Sequence, residues 1–307
     1  MLSETVLSPA RRTARRGFSL VELLIVMVIL AVVLTTVMTI FVQQQRFYSD
    51  SAAIMETRSA SRDAAYVIQS DLRAISPSRG DIYAMGSQFI EFRSQTGASV
   101  LCTVDVTRMV LTVPPLNVAT GAALTSWLAP PAMGDTVLIY DGGIAADSFN
   151  VYTLTAAPTT GASCPNTSGF TTTGGEATQG FTFKVTPKLT ATTFAGAPIR
   201  IVRKARYELY QEASGKWYLG YFDCVRFRLP ECNPLQPVAG PYLAPNVGGG
   251  GIVFTFRDAN GAVTTLPKLV RRIDLAARAQ TTIDVRTAGY KGGPLADSMF
   301  TMIAPRN

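Results

Sequence analysis

Between Phe18 and Pro77 the chain contains neither glycine nor proline, and within that stretch Leu23–Val42 is apolar except for Thr35, Thr36 and Thr39. Twenty such residues reach about 30 Å as a helix, the thickness of a bilayer's hydrocarbon core. No other feature constrains the fold as strongly, because in lipid only a helix satisfies its own backbone within one segment. A single acid, Glu22, stands at the start of the run. A carboxylate costs roughly 2.5–3.5 kcal/mol at the bilayer centre and less near its edge, so its presence points to a role. Ahead lies a basic leader with Arg11, Arg12, Arg15 and Arg16. The positive-inside rule keeps such a leader cytoplasmic and sends the body outward. The apolar run is too long for a cleaved secretory signal and lacks a small-residue cleavage site near its start.

The register of these parts is informative. Arg15-Arg16-Gly17-Phe18-Ser19-Leu20-Val21-Glu22-Leu23-Leu24 resembles the processing site of type IV prepilins and type II secretion pseudopilins. The resemblance implies that a prepilin peptidase cuts between Gly17 and Phe18 and methylates the new N-terminus. It also implies that Glu22, fifth in the mature chain, helps dock the subunit into a filament. The physics agrees. Glycine leaves room for the peptidase at the backbone. The cut exposes an α-amine that is charged at neutral pH. A neighbour's Glu22 could pair with that amine in an apolar surround, favouring one axial register. An ordinary signal anchor would share the leader and span without this register.

Beyond the span, Gln43-Gln44-Gln45-Arg46 marks an exit into water. Ala65, Ile68, Leu72 and Ile75 then recur at helical spacing, with Arg62, Asp63, Gln69 and Arg73 between them. One face should pack on a sheet, and Pro77 and Gly80 should end the helix. A helix from Phe18 to about Ser76 would be near 90 Å long. The resemblance implies this shape too, although many major pilins carry a proline in the span and this chain has none. Expected divisions are a leader (1–17), a transmembrane half-helix (18–42), an amphipathic half (43–76) and a β-rich periplasmic or extracellular body (77–307). The fold class is α+β, a long helix on an antiparallel sheet.

Strand formers cluster at 89–92, 100–104, 109–113, 136–140, 181–185, 199–210, 217–227 and 252–256, and further strands are expected at 269–275 and 282–286. Asn260-Gly261 is a hairpin signal. The stretches 156–180 and 234–251, rich in Thr, Ser, Gly and Pro, read as long loops available for binding or subunit contacts. No internal repeat or second domain boundary is visible.

The chain has 307 residues, four cysteines and a net charge of +7, of which the leader contributes +3 (four arginines less Glu4). In an exported body four cysteines allow three disulfide pairings. The spacing favours Cys224–Cys232, with Cys102–Cys164 by elimination. With no histidine, a Ser-His-Asp or Cys-His arrangement is excluded. Asp141-Gly142-Gly143 and Asp258-Ala259-Asn260-Gly261 lack the acid spacing of a calcium loop and read as turns. No enzyme activity, cofactor or metal site is expected. In a strand, Arg200, Lys204 and Arg206 fall on one face with Glu208. Together with Arg203 these cations could attract nucleic acid, but a solvated outer sheet face is the better reading.

A second likeness lies further on. Ala205-Arg206-Tyr207-Glu208-Leu209-Tyr210 with Gly215-Lys216-Trp217-Tyr218-Leu219 is similar to a hairpin of J-type pseudopilins and PilW-type minor pilins, and Leu269–Arg278 fits that group. The resemblance implies a minor subunit, anchored in the inner membrane with its body in the periplasm. Such a subunit enters a pilus or pseudopilus with other minor and major subunits, near the tip. The alternative is a tip-borne adhesin or DNA receptor.

Overall fold

The computed structural model describes residues 19–116, 124–142, 148–165, 168–171, 175–224, 236–286 and 292–306, with backbone alone for Ser148 and Cys224. Helix α1 spans Leu20–Arg73, 54 residues or about 80 Å. A turn of 3-10 helix at Pro77–Arg79 follows, and Gly80 closes it with φ 82°.

The rest is β. Strands β1 (Ile82–Gly86), β2 (Phe89–Val100), β3 (Thr103–Asp105), β4 (Val110–Val113) and β5 (Ser126–Trp127) come first. Then follow β6 (Thr136–Asp141), β7 (Ser148–Leu154), β8 (Thr159–Ala162), β9 (Gly180–Thr186) and β10 (Pro198–Gln211). The last are β11 (Trp217–Cys224), β12 (Gln236–Tyr242), β13 (Ile252–Arg257), β14 (Arg272–Asp284) and β15 (Pro294–Ile303). They form one connected antiparallel system ordered β13-β14-β12-β11-β10-β6-β7-β9-β4-β3, with β15 on the far side of β14 and β2 along the second edge of β10. The sheet curls until β13 meets the β1–β2 turn, where the Phe254 N–H donates to the Ser87 carbonyl at 2.8 Å.

Strand β10 alternates strictly enough to serve two cores. Its Ala205, Tyr207 and Leu209 pack with α1, β2 and β11–β15, while Ile199 and Ile201 pack with β4, β6, β7 and β9. The helix contributes Ala60, Ala64, Ala65, Ile68 and Leu72 to the first core, all buried. Small residues at Ala53, Thr57, Ala60 and Ser61 let it lie close to the sheet.

Several expectations change. The single strand β14 replaces the two at 269–275 and 282–286. Asn260-Gly261 makes a local turn, closed by an Arg257–Val263 bridge, but β13 takes β14 as its partner only after a further connection. Asp258 shapes that turn by accepting the N–H groups of Asn260 and Ala262.

Neither long loop is free. The first contains β8, and Cys164 within it is bonded to Cys102, 62 residues away. The second contains β12 and then a glycine turn. Gly248, Gly249 and Gly250 all have positive φ, and Arg278 donates to the carbonyls of Gly249 and Gly250 at 3.1 and 2.9 Å. A Cβ on Gly251 would collide with the Leu243 carbonyl. Cys232 lies outside the described residues, as does the expected strand end at 225–227.

Candidate functional site: the projecting helix

Glu22 sits in the first turn of α1, exposed, beside an N-cap Ser19 whose side chain makes no cap bond. The helix N-terminus favours an anion there. Gly17 and Phe18 lie outside the described residues. Every residue from Leu20 to Ser49 is exposed, including eighteen large apolar side chains between Leu20 and Val42 at 44–77%. On an insertion scale each contributes roughly −0.3 to −0.6 kcal/mol, about −5 to −11 in all, against about +2.5–3.5 for one acid at the centre. Lipid wins. The three threonines cost little because the helix satisfies them. Thr36 Oγ1 donates to the Val32 carbonyl at 2.9 Å, Thr35 to Ala31 at 2.8 Å and Thr39 to Thr35 at 2.7 Å. Helix α1 is therefore long and apolar enough to cross a membrane.

The helix passes from Val42 to its first buried residue, Asp50, in eight steps, about 12 Å, enough to cross the headgroup layer. Exposed Phe47 and Tyr48 lie in this interval, where aromatic rings anchor at an interface. The sequence reading passed over them, although an aromatic pair directly after Arg46 is the signal.

Three hydrogen bonds then tie the helix to the body. Asp50 Oδ2 accepts the Arg286 N–H at 3.0 Å, the Ala60 carbonyl accepts the Tyr242 hydroxyl at 2.8 Å, and Asp71 Oδ2 accepts the Tyr207 hydroxyl at 2.7 Å. Ten and eleven residues are each close to three turns, so all three lie on one face and fix the helix's rotation and axial register. Burial pushes the Asp71 carboxyl above its ordinary value, with the Tyr207 bond pulling the other way. Burial and the Asp71 charge push the Tyr207 hydroxyl up.

The basic cluster divides by strand parity. Arg203 shares the inward parity of Ile201 and Ala205 and is buried where the two cores meet. Its guanidinium is bidentate on Asp135 at 2.7 and 2.8 Å and donates to Asp223 at 2.8 Å and to the Pro130 carbonyl at 3.1 Å. Lys204 and Arg206 both pair with Glu91, and Arg206 also with Glu208. Arg200 lies over the Phe149 ring at 5.2 Å. Arg203 alone turns inward, while Arg200, Lys204 and Arg206 stay partly exposed on the opposite face.

The sequence around the helix start carries a known motif. Residues 12–38 match the prokaryotic N-terminal methylation motif. The match supports a type IV prepilin-like precursor. No curated protein and no solved structure matches the chain. The methylation motif thus covers the helix start and most of the apolar span, and the body is described by its own geometry.

Proposed function

We propose that the chain is the precursor of a minor subunit of a type IV pilus or type II secretion pseudopilus. The observation that carries this reading is the methylation motif in register with a helix that projects about thirty exposed residues beyond its body. Prepilin peptidase cuts after Gly17 and methylates Phe18. The span holds the subunit in the inner membrane with its body in the periplasm, and Glu22 pairs with the Phe18 amine of a neighbour during entry into the filament. The three helix–body ties keep each body at a fixed place relative to that docking point. A role near the tip, at the start of assembly, follows from the likeness to J-type and PilW-type subunits. A tip-borne adhesin or DNA receptor is less well supported. The two loops that would carry it are pinned by a disulfide and by Arg278, and three of the four clustered cations are paired with carboxylates.

Glu22→Ala tests the docking role. The variant should be cut as wild type yet be strongly depleted from sheared filaments, and equal incorporation would count against it. Gly17→Ala should remain uncut and stay in the membrane fraction. An uncut envelope anchor predicts that this change does nothing.

A further inference from the structure

Charge is unevenly distributed along the chain. Residues 18–251 carry 16 Lys and Arg against 16 Asp and Glu, and residues 252–307 carry 8 against 4, so the whole excess outside the leader (7 − 3 = 4) lies in the last 56 residues. Part of it borders a groove of about 420 Å³ on the face of β13, β14 and β15 that turns away from the helix. The groove's apolar surface comes from Val253, Ala276, Phe300 and Met302, and the last two are each 68% exposed. Arg257 and Arg272 share one carboxylate, Asp274. Arg278 spends its hydrogen bonds on the carbonyls of Gly249 and Gly250 and lies over the Phe300 ring at 5.3 Å. Three guanidinium groups therefore face a single acid.

Beside the groove the sheet ends. Among the described residues β15 pairs with β14 and with no other strand. The direction of its backbone groups follows from β14. Arg278 gives its N–H to Gly251 and accepts the Leu243 N–H, both on the β13 side, so Ala277 and Ala279 turn to Met299 and Asp297 of β15. By alternation the N–H and C=O of Ser298, Phe300 and Met302 point to the outer edge. A ten-residue edge strand with apolar side chains and no lysine is a template for strand addition.

We propose that this edge and groove dock an extended, acidic segment of a partner polypeptide, added as a further strand beside β15. The segment's main chain pairs with Ser298, Phe300 and Met302, its apolar side chains cover Phe300 and Met302, and its carboxylates meet Arg257 and Arg278. A second copy of this chain is a poor occupant, since it would set one basic face against another. The proposal holds whether or not the chain enters a filament.

The test uses the full chain in detergent and fluorescence anisotropy with a labelled Glu-Val peptide of about ten residues, in which Glu and Val take turns at every second position with Ser between them so that both face the groove. A Lys-Val peptide and a DNA duplex serve as comparison probes. Ser298→Pro removes an outward N–H at an exposed edge position that tolerates proline, and Met302→Glu places a like charge in the groove. The expected result is binding of the Glu-Val peptide alone, weakened about tenfold or more in both variants, with wild-type melting temperatures. Equal binding to Ser298→Pro overturns strand addition. Binding of the duplex but not of the acidic peptide overturns the proposal in favour of a phosphate-binding face, and absence of any binding overturns it outright.

Discussion

Replacing Arg203 with methionine leaves Asp135 without its bidentate partner at a place where its side chain has no exposed surface. Asp223, 24% exposed, can turn to water, but Asp135 cannot. It would keep one donor, the Ala132 N–H at 2.8 Å. Breaking one side of a buried pair costs about 3–5 kcal/mol, chiefly because the remaining charge stays desolvated. Removing both sides costs less, so Arg203→Met with Asp135→Leu should recover half or more of the loss. Urea unfolding of the full chain in detergent, followed by tryptophan fluorescence, reads both cores, since Trp217 packs on one and Trp127 on the other. With a slope of about 2–3 kcal/mol/M for a chain of this size, the single variant's midpoint should fall by about 1–2.5 M. A fall below about 0.2 M, or a double variant less stable than the single, would refute the claim that Arg203 is held by charge pairing between the cores.

Other consequences follow from the same geometry. Glu91 is buried, which pushes its carboxyl up, but Lys204 and Arg206 outweigh this and hold it below the ordinary 4.5. A lowered folded value means stability that is present above the unfolded value and lost as pH falls through the folded one. Wild type should therefore melt higher than Glu91→Gln at pH 7, and the gap should close in acid. A gap independent of pH would contradict the pairing. Serine at both Cys102 and Cys164 opens a link between positions 62 apart in sequence, and chain entropy puts the loss at about 4 kcal/mol, read by the same unfolding experiment with and without reductant.

Periodicity carried the helix well at Ala65, Ile68 and Leu72, all of them buried, and Ile75 is buried just past the helix end at Arg73. It failed between Asp50 and Ser61. The buried residues there are Asp50, Ala53, Thr57, Ala60 and Ser61, which read as surface but suit a close helix–sheet approach. Strand β12 was hidden by Pro237 and Pro241, residues associated with loops, and β15 by its mixture of Pro294, Asp297 and Ser298. Parity put Arg203 opposite Arg200, Lys204 and Arg206, but no local pattern announces a partner such as Asp135, 68 residues away. The motif around Gly17 was the reverse case. Leader charge, glycine, aromatic, acid and span constrain one another at close range, so one short stretch could be read without the rest of the chain.

The most direct test of the prepilin account is intact mass with N-terminal sequencing on protein from the membrane fraction of the native host. The account predicts a chain that begins at methylated Phe18, lacking residues 1–17. A chain that begins at Met1 in cells with an active prepilin peptidase would contradict it and leave a single-pass envelope protein.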